Sequence, residues 1–302
     1  MSVMERKGSV AAVTDPLAIG LIGAGPWARM MTAPVLAAGP QTRVSGIWSR
    51  TAANAQELGS TLGVPAFDDL DALFHTCDAV ALTVTPAAQP ALAIRAARAG
   101  KTLLLEKPLA DDVAGAQAIV DAVGAAGVGA LVMLTNRFDP RLSDFVAAAA
   151  RIEPVGGRGC FVSGAFLGGP FAHGWRLERG AVLDIGPHLF DLLEAGLGEI
   201  VAVQATGDPL GWVSVNCTHA SGPTSSASMC CTAATAGRTE IEVYSARGVA
   251  AFDARMVDRA ARADRIRSDL VAVAGGAEHP ANALRTLHLQ HLIADSEAQL
   301  RP

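Results

Sequence analysis

Three side chains that can hold or move a proton fall in two short segments of the sequence. Lys107 stands between a glutamate and a proline, directly after an apolar run at 103–105. Asp184 and His188 are four residues apart, so they share one face of a helix if its first turn includes Asp184. A carboxylate near an imidazole raises its pKa and orients it, which gives a proton acceptor near neutral pH. The spacing therefore predicts acid–base chemistry with Lys107, Asp184 and His188 as catalytic residues.

Each of these residues also has an ordinary structural explanation. Lys107 could be a solvated residue at a strand end, and Asp184 could cap a helix while His188 is a satisfied core histidine. Two observations favour a functional lysine. Only three of the 24 basic residues are lysines, and a lysine amine, unlike a guanidinium, can be tuned to exchange a proton. Pro108 also blocks the strand ladder and stiffens the turn that would hold the Lys107 stem.

A glycine-rich loop directly follows the apolar run at 17–22. It reads Gly23-Ala24-Gly25-Pro26-Trp27-Ala28, a G-x-G-x-x-A match that opens a predicted helix. The first glycine permits a tight turn, the second lets a pyrophosphate approach the backbone, and the small third residue lets helix and strand pack closely. In this context the motif predicts a dinucleotide-binding loop, and the alternative is a structural turn.

The segment after the glycine loop lacks the acidic residue that binds an NAD ribose. NAD-binding loops place an Asp or Glu roughly 20 residues further on, where it bonds the ribose 2′-hydroxyl. Here no carboxylate occurs between Asp15 and Glu57, and the second predicted strand runs into Ser49-Arg50. A hydroxyl and a guanidinium suit a 2′-phosphate. We therefore expect NADP, with NAD the less favoured cofactor, unless Arg50 is only a solvated loop residue.

An alternation of strands and helices must position these candidates. Strands are predicted at 17–22, 44–48, 79–84, 102–105 and 129–134, with helices at 26–38, 52–62, 90–99 and 114–123 between them. Strands alternating with helices form βαβ units and a parallel sheet covered on both faces. Lys107 follows the fourth strand, so it lies at the carboxyl edge of the sheet, where ligands bind.

The pattern becomes strand-rich after residue 138. A helix at 142–152 precedes strands at 159–166, 200–206, 212–218, 226–233, 239–245 and 249–252, a helix is predicted from Gly186-Pro187 to Ala195, and a last helix is predicted at 281–299. Successive strands indicate an antiparallel sheet. The predicted fold class is α/β, with an N-terminal Rossmann doubly wound parallel sheet and a C-terminal α/β domain that carries a mostly antiparallel open sheet. The expected divisions are a flexible leader at 1–16, a Rossmann domain at 17–138, a substrate and oligomerisation domain at 139–280 and a C-terminal helix at 281–302.

Several motifs along the chain resemble those of one known family. They are the glycine loop at 23–28, Thr85-Pro86, Ala99-Gly100-Lys101, Glu106-Lys107-Pro108, Asn136-Arg137-Phe138, Trp175-Arg176 and Asp184-x-Gly186-x-His188-x-x-Asp191. Together they resemble the Gfo/Idh/MocA family of NAD(P)-dependent oxidoreductases (glucose–fructose oxidoreductase, inositol dehydrogenase and rhizopine catabolism proteins), over nearly the whole chain. The lysine and D-x-G-x-H signatures are specific as a pair.

The resemblance implies roles for these motifs. Lys107 and His188 would flank the reacting carbon, Asp184 would assist proton transfer, and nicotinamide would carry the hydride. The implied cofactor contacts are Gly23, Gly25, Pro26, Trp27, Ala28, Ser49, Arg50, Thr85, Pro86, Glu106 and Lys107. The open sheet implies a homodimer or homotetramer. Two departures leave the substrate open: no histidine follows Thr85-Pro86, and the glycine cluster before the aspartate is reduced to Gly180.

Five further residues are candidates for substrate binding. Asn136 and Arg137 follow a strand end and could reach nicotinamide or a substrate oxygen, or serve the loop alone. Trp175 could pack on a sugar ring while Arg176 binds its oxygens, or the two could form an internal stacking pair. Asp191 could bond substrate, or merely lie one turn from His188.

Composition and charge narrow the class of protein. A net charge of −5 without a basic block argues against nucleic acid, and no uninterrupted apolar run is long enough to span a membrane. Five scattered cysteines lack a zinc-binding spacing, which predicts reduced thiols, no metal and a cytoplasmic location. The sequence therefore predicts an NADP-dependent oxidoreductase for a secondary alcohol or ketone of a sugar, polyol or similar small molecule. The alternative is a non-catalytic NAD(P)-binding sensor or regulator with the same fold.

Overall fold

A parallel sheet of six strands forms the first half of the chain in the computed structural model, which describes residues 15–300. The strands are β1 (Leu17–Ile22), β2 (Thr42–Trp48), β3 (Ala66–Phe67), β4 (Ala79–Leu82), β5 (Thr102–Leu105) and β6 (Ala130–Val132). The α-helices between them are α1 (Ala33–Ala37), α2 (Ala52–Leu62), α3 (Leu70–Phe74), α4 (Gln89–Arg98) and α5 (Val113–Ala126). The spatial order β3-β2-β1-β4-β5-β6, with every pair parallel, confirms the predicted Rossmann sheet.

Burial on both faces of the parallel sheet explains why its strands read as continuous apolar runs. In β1, Ile19 and Leu21 belong to one apolar cluster and Ile22 to the other, as the alternation of side chains along a strand requires. The strand order reverses between β1 and β4, and a crevice for ligands opens at the carboxyl ends on either side of such a reversal. The sheet therefore brings the loops after β1, β4 and β5 to one edge.

The helix after the glycine loop is continuous but irregular. A π-helical turn at Ala28–Thr32 leads directly into α1, and Pro34 occupies the first turn of that α-helical stretch. Pro34 has no N–H to donate to the preceding turn, and the change of winding at this point accommodates it without ending the helix. The loop is thereby joined to a helix, as the motif predicts.

A second sheet of six strands forms most of the remaining chain. It follows α6 (Pro140–Ile152) and contains β7 (Gly156–Val162), β8 (Ile200–Gly207), β9 (Trp212–His219), β10 (Thr224–Cys230), β11 (Arg238–Ser245) and β12 (Gly248–Asp253). Its spatial order is β12-β11-β7-β10-β9-β8, and only β7 and β10 run parallel. Between β7 and β8 the chain forms α7 (Trp175–Arg179) and α8 (Ala181–Leu197). The prediction of a mostly antiparallel sheet is confirmed.

Helix α8 begins well before the predicted start at Gly186-Pro187. Gly180 precedes it with φ +81°, and a Cβ there would lie 2.0 Å from the Pro209 carbonyl oxygen. That carbonyl accepts the Ala181 N–H at 3.0 Å, which satisfies one of the free N–H groups at the helix start. Pro187 therefore lies inside a buried helix. Packing on every side outweighs the helix-breaking tendency of the proline.

The last part of the chain contains a helix that the sequence reading omitted. The helices here are α9 (Arg259–Ala274) and α10 (Ala283–Leu300). Helix α9 packs against α1, β5 and β6, and Asn282 forms an isolated bridge with Leu131 of the parallel sheet. The chain thus returns to the Rossmann domain, and the division at 138 and 280 stays a prediction. Of the leader, only residues 15 and 16 are described, and residues 301 and 302 also lie outside the described part. Within residues 15–300, no helix combines the length and apolar character needed to cross a membrane.

Candidate active site

The turn that carries Lys107 is fixed by one buried side chain. Gln89, the first residue of α4, donates from Nε2 to the carbonyl oxygens of Glu106 at 2.8 Å and Leu109 at 2.9 Å. Its Oε1 accepts the Glu106 N–H at 2.9 Å. One amide therefore bonds both sides of Lys107, and the lysine stem leaves the carboxyl end of β5 from a defined turn.

Lys107 reaches from the parallel sheet to α8. Its Nζ lies 2.8 Å from Asp184 Oδ1 and 2.6 Å from the Asp184 carbonyl oxygen. Arg176 Nε lies 3.4 Å from the other carboxylate oxygen of Asp184. The structure thus brings together two residues that are 77 positions apart in the sequence, and it places two cations on one carboxylate.

The surrounding charges and burial act in opposite directions on Asp184. Burial raises the pKa of Asp184, but the charges of Lys107 and Arg176 and the Lys107 hydrogen bond outweigh it, so the net shift is downward. Asp184 is therefore an ionised carboxylate at neutral pH.

His188 lies one turn after Asp184 on α8, and its ionisation differs from the prediction. Burial, followed by the charge of Lys107, lowers the pKa of His188 to about 3, although the Asp184 charge acts to raise it. The expected upward shift is wrong, because desolvation and a neighbouring ammonium outweigh the carboxylate. His188 is consequently neutral at pH 7, and its Nδ1 has no hydrogen-bond partner within residues 15–300. A neutral imidazole can accept a proton.

The glycine loop has the shape that a dinucleotide requires. Gly23 has φ +105°, and a Cβ there would lie 2.4 Å from the Thr83 carbonyl oxygen at the end of β4. A Cβ added at Gly25 would meet nothing within 4 Å, so open space adjoins the backbone at this position. Ala28 is fully buried in the core. The three positions thus provide a tight turn, an open backbone and close packing, in the order that the motif predicts.

A contact between Trp27 and Glu106 spans two loops at the carboxyl edge. Trp27 Nε1 donates to Glu106 Oε1 at 2.5 Å. Burial raises the pKa of Glu106 to about 7, while the charge of Lys107 and the Trp27 hydrogen bond oppose that rise. The Trp27 and Phe171 rings pack in a T-shaped arrangement at a centroid distance of 5.8 Å. These side chains line the same edge as Lys107.

The residues predicted to select the cofactor follow β2 and β4. Ser49 is half-buried and Arg50 is exposed, and the Arg50 side chain forms no ion pair within the described part of the chain. Thr85 is exposed after β4, and its carbonyl oxygen accepts the Ala88 and Gln89 N–H groups at the start of α4. Pro86 is buried. Arg50 is therefore available at the end of β2.

Arg176 connects aromatic side chains to the catalytic candidates. Its guanidinium lies 4.5 Å from the Trp175 ring centroid and 5.4 Å from the Phe171 ring centroid. The stacking of Trp175 and Arg176, given above as the alternative to substrate binding, is present, and Arg176 also reaches Asp184. Phe171, Trp175 and Arg176 thus form a wall that extends from the catalytic pair to Trp27 of the glycine loop.

Arg137 and Asp191 bond one another. Arg137 donates from Nε and Nη2 to the two Asp191 carboxylate oxygens at 2.7 and 2.8 Å, and Arg285 donates to Asp191 at 2.9 Å. Asp191 is 1% exposed and its carboxylate is bonded by two arginines, which favours the alternative that it serves the helix, while its role in substrate binding stays a prediction. Arg137 is committed to the same network. Asn136 is buried in the adjoining turn and makes no side-chain hydrogen bond within the described residues.

Three residues that the sequence reading missed act on this site. Gln89 holds the Lys107 turn, Phe171 packs on Trp27 and Arg176, and Arg285 completes the Asp191 network. A glutamine at the first position of a helix, just after a strand, was a usable signal for Gln89. Phe171 and Arg285 gave no comparable signal, because their partners lie in other elements.

Comparison with known proteins identifies the family. The Gfo/Idh/MocA oxidoreductase family model for the NAD-binding Rossmann fold matches residues 17–134, and that family's C-terminal domain model matches residues 157–251. The chain therefore belongs to the Gfo/Idh/MocA family of oxidoreductases, as its motifs predicted.

Two curated relatives and one solved structure illustrate the likeness. The dTDP-3,4-didehydro-2,6-dideoxy-α-D-glucose 3-reductase of Streptomyces violaceoruber is 29% identical over 62% of this chain, and the 1,5-anhydro-D-fructose reductase of Ensifer adhaerens is 34% identical over 60% of it. The chain spans 56% of the length of each relative. The structure of GenD2 from gentamicin A biosynthesis, in complex with NAD, aligns with a TM-score of 0.81 and 17% identity over 99% of this chain and 97% of that one, a likeness of fold.

Proposed function

We propose that the protein is an NADP-dependent oxidoreductase that transfers a hydride between nicotinamide and a secondary alcohol or ketone of a sugar, polyol or similar small polar molecule. The observation that carries the proposal is the Lys107–Asp184 pair, 2.8 Å apart at the carboxyl edge of the Rossmann sheet, with neutral His188 one turn further along α8. An ammonium donor and an imidazole acceptor are the groups that alcohol–carbonyl interconversion requires.

The residues of the crevice fit a dinucleotide cofactor. Bound nicotinamide would supply the hydride acceptor or donor. Gly25 leaves the backbone open where the diphosphate would lie, because nothing stands within 4 Å of a Cβ added there, and Gly23 provides the tight turn before it. Glu106 and Trp27 lie at the same edge beside Lys107. Ser49 and Arg50 would hold a 2′-phosphate, which suits the Arg50 guanidinium because it forms no ion pair within residues 15–300.

The proposed proton chemistry divides between the amine and the imidazole. Lys107 holds a proton at Nζ, where Asp184 keeps it oriented by two hydrogen bonds. In the direction of reduction, that ammonium would donate its proton to the developing alkoxide, and in the direction of oxidation the Lys107 amine would accept the hydroxyl proton. The neutral His188 would accept a hydrogen bond and so orient the reacting hydroxyl. Asp184 stays ionised and stabilises the ammonium, which makes it the modulator of the pair.

The relatives narrow the class of substrate. Both are named reductases of sugars, one of a dTDP-linked dideoxy sugar and the other of 1,5-anhydro-D-fructose. We infer that reduction of a keto sugar is a reaction to test first, together with the oxidation of cyclic polyols. Purified protein with NADPH or NADP+ is mixed with each compound, and the change in nicotinamide absorbance is followed. Binding of cofactor without turnover of any compound would favour the sensor or regulator.

Cofactor preference is tested at the end of β2. We expect tighter binding of NADP+ than NAD+, measured by quenching of tryptophan fluorescence. Arg50→Gln should weaken NADP+ by about 10-fold or more and leave NAD+ unchanged, because it removes a charge-assisted hydrogen bond. Arg43→Gln is the matched control: Arg43 is exposed near the amino end of β2, away from the crevice. Tighter NAD+ binding by the unmodified protein would contradict the NADP proposal.

The open face of the second sheet is proposed to join subunits. Exposed side chains alternate with buried ones along β9 and β10, and Asn216 and Ser226 are paired across these strands. Trp212, the first residue of β9, is 50% exposed. Such a face of small and polar residues suits a second copy of itself. Sedimentation analysis should show a dimer or tetramer that Asn216→Glu with Ser226→Glu dissociates. A monomeric unmodified protein would contradict the assembly.

A further inference from the structure

Two aromatic rings hold the guanidinium of Arg176 at the start of α7. Its central carbon lies 4.5 Å from the Trp175 ring centroid and 5.4 Å from the Phe171 ring centroid. A guanidinium is attracted to the face of an aromatic ring, and more strongly where water is partly excluded. The Arg176 side chain is half-buried. The rings therefore fix the position of this charge by contacts within the protein itself.

Asp184 offers one carboxylate oxygen to each of two cations. Lys107 Nζ lies 2.8 Å from Oδ1, and Arg176 Nε lies 3.4 Å from Oδ2. Rotation of the carboxylate about its Cβ–Cγ bond would move both oxygens away from these cations, so the guanidinium opposes that rotation. The charge of Arg176 also follows that of Lys107 among the influences that lower the pKa of Asp184. Arg176 thus acts on both the orientation and the ionisation of the group that holds Lys107.

The ring that supports Arg176 also contacts the glycine loop. Phe171, in the segment between β7 and α7, packs on Trp27 in a T-shaped arrangement with a centroid distance of 5.8 Å. Trp27 donates a hydrogen bond to Glu106, which directly precedes Lys107. The guanidinium is therefore linked by direct contacts to Asp184 on one side and, through one ring, to the glycine loop on the other.

We propose that Arg176 is a positioning residue of the active site, because the two rings hold its guanidinium and the guanidinium holds the Asp184 carboxylate against Lys107. The proposal rests on the proposed oxidoreductase function and deepens it, since Lys107 is the proton donor of that reaction. It gives Arg176 a role through Asp184 in place of direct contact with substrate.

The ammonium protons of Lys107 test this arrangement without any substrate. The chain has only three lysines, so isotopic labelling of lysine nitrogen gives few Nζ signals in an NMR spectrum, and Lys107→Met identifies the relevant one. The hydrogen bonds to Asp184 should slow the exchange of these protons with water. Arg176→Gln should speed that exchange by about 10-fold, the effect of losing one hydrogen bond between charged groups. Lys101, which donates to the Cys77 carbonyl oxygen, should keep its exchange rate in the same sample.

Three further variants separate the proposed role from a general effect on the fold. Arg179→Gln is the matched control: Arg179 lies on the same helix and pairs with Glu297 at 2.6 Å, so the substitution removes an equal charge and an ion pair without touching Asp184. Arg176→Lys keeps the charge without the planar contact to the rings, so it should recover part of the slow exchange. Phe171→Leu keeps every charge and removes one aromatic face. It should speed the exchange by a smaller factor than Arg176→Gln, and it keeps the proposal testable if Arg176→Gln does not fold.

Turnover separates positioning from substrate binding. With a keto sugar or polyol that the unmodified protein converts, Arg176→Gln should lower kcat by about 10-fold or more and leave KM and NADP+ affinity within about threefold. A raised KM at unchanged kcat would assign Arg176 to the substrate and overturn the proposal. Unchanged exchange of the Lys107 protons in Arg176→Gln, or equal acceleration in Arg179→Gln, would also overturn it. Absence of turnover in the unmodified protein would count against the oxidoreductase proposal alone, because the exchange measurement decides the positioning role without it.

Discussion

Replacement of Lys107 by methionine removes the ammonium on which the proposed chemistry depends. Methionine keeps a similar length and an unbranched stem, so the packing of the side chain between β5 and α8 is largely preserved. Asp184 loses hydrogen bonds of 2.8 Å to its carboxylate and 2.6 Å to its carbonyl. Arg176, 3.4 Å away, remains as its second cation. The variant is therefore a test of proton transfer in a site that keeps one of its two positive charges.

The size of each effect follows from this geometry. Loss of a positioned acid–base group lowers turnover by roughly 100- to 10,000-fold. Removal of one partner from a buried ion pair destabilises a fold by about 3–5 kcal/mol, and we expect the lower end because Arg176 still faces Asp184. The pKa of His188 should rise, because the charge of Lys107 is the second of the influences that lower it. A lower rate, a modest loss of stability and a higher histidine pKa are thus expected together.

Three measurements and two control variants separate these effects. Turnover is followed by nicotinamide absorbance, the unfolding free energy by denaturant titration, and the His188 pKa by NMR of the imidazole. Lys101→Met is the matched control: Lys101 donates to the Cys77 carbonyl oxygen at 2.9 Å, at the amino end of β5, away from the crevice. Lys107→Arg keeps the positive charge but cannot release a proton at neutral pH, so it should fold well and turn over poorly.

The reasoning is refuted if Lys107→Met retains turnover within about threefold of the unmodified protein. It is also refuted if Lys101→Met loses as much turnover as Lys107→Met. Full activity in Lys107→Arg would show that Lys107 acts only through its charge.

Three further predictions address the surroundings of Lys107. The raised pKa of Glu106, about 7 against 4.5 in the unfolded chain, means that its contribution to stability is present below pH 4.5 and is lost as pH rises through 7. Between pH 4.5 and 7 the unfolding free energy of the unmodified protein should fall by on the order of 3 kcal/mol relative to that of Glu106→Gln. Denaturant titration at each pH measures both unfolding free energies, and parallel curves of unfolding free energy against pH for the two proteins would contradict this. Gln89→Leu should lower kcat more than NADP+ affinity, because it frees the turn that positions Lys107. Gln89→Glu should recover little of the lost kcat, since a carboxylate accepts hydrogen bonds where the Gln89 amide donates them. An unchanged kcat in Gln89→Leu would refute the positioning role of Gln89. Asp191→Asn should cost about 3–5 kcal/mol of unfolding free energy through its two arginines, and a loss below about 1 kcal/mol would show that the network is not structural.

The Rossmann half of the fold was accessible from the sequence because its elements obey local rules. Strand β1 and helix α2 have the predicted bounds, and the glycine loop lies between strand and helix as its motif requires. The missed helix α9 also carried a local signal. Asp258 accepts the Ala260 and Ala261 N–H groups as an N-cap, and Ile266, Leu270 and Val273 have helical spacing. The preceding sequence has a strand-rich pattern, and for that reason this helix was not predicted.

The ionisation of the site could not be predicted from residue types. The sequence placed a carboxylate one turn from His188, which alone predicts a raised pKa. The structure adds burial and the Lys107 ammonium, and both lower it. The burial of His188 depends on the packing of α8 between its neighbours, and the Lys107 ammonium comes from the turn after β5, far away in the sequence. The spacing of residues within one segment therefore predicts which residues form a site more readily than it predicts their protonation states.

Helix α8 shows why the ion-pair partners of its carboxylates could not be predicted from the sequence either. Asp184 and Asp191 are seven residues apart, so the spacing alone places both carboxylates on one helix face. They differ in the cations that meet them: Lys107 and Arg176 bind Asp184, whereas Arg137 and Arg285 enclose Asp191. The first carboxylate adjoins the crevice and can modulate a proton donor, while the second fixes the helix that carries it. One helix face thus supplies both the reactive group and its anchor, and only the positions of β5, α7, α10 and the turn after β6 decide which carboxylate does which.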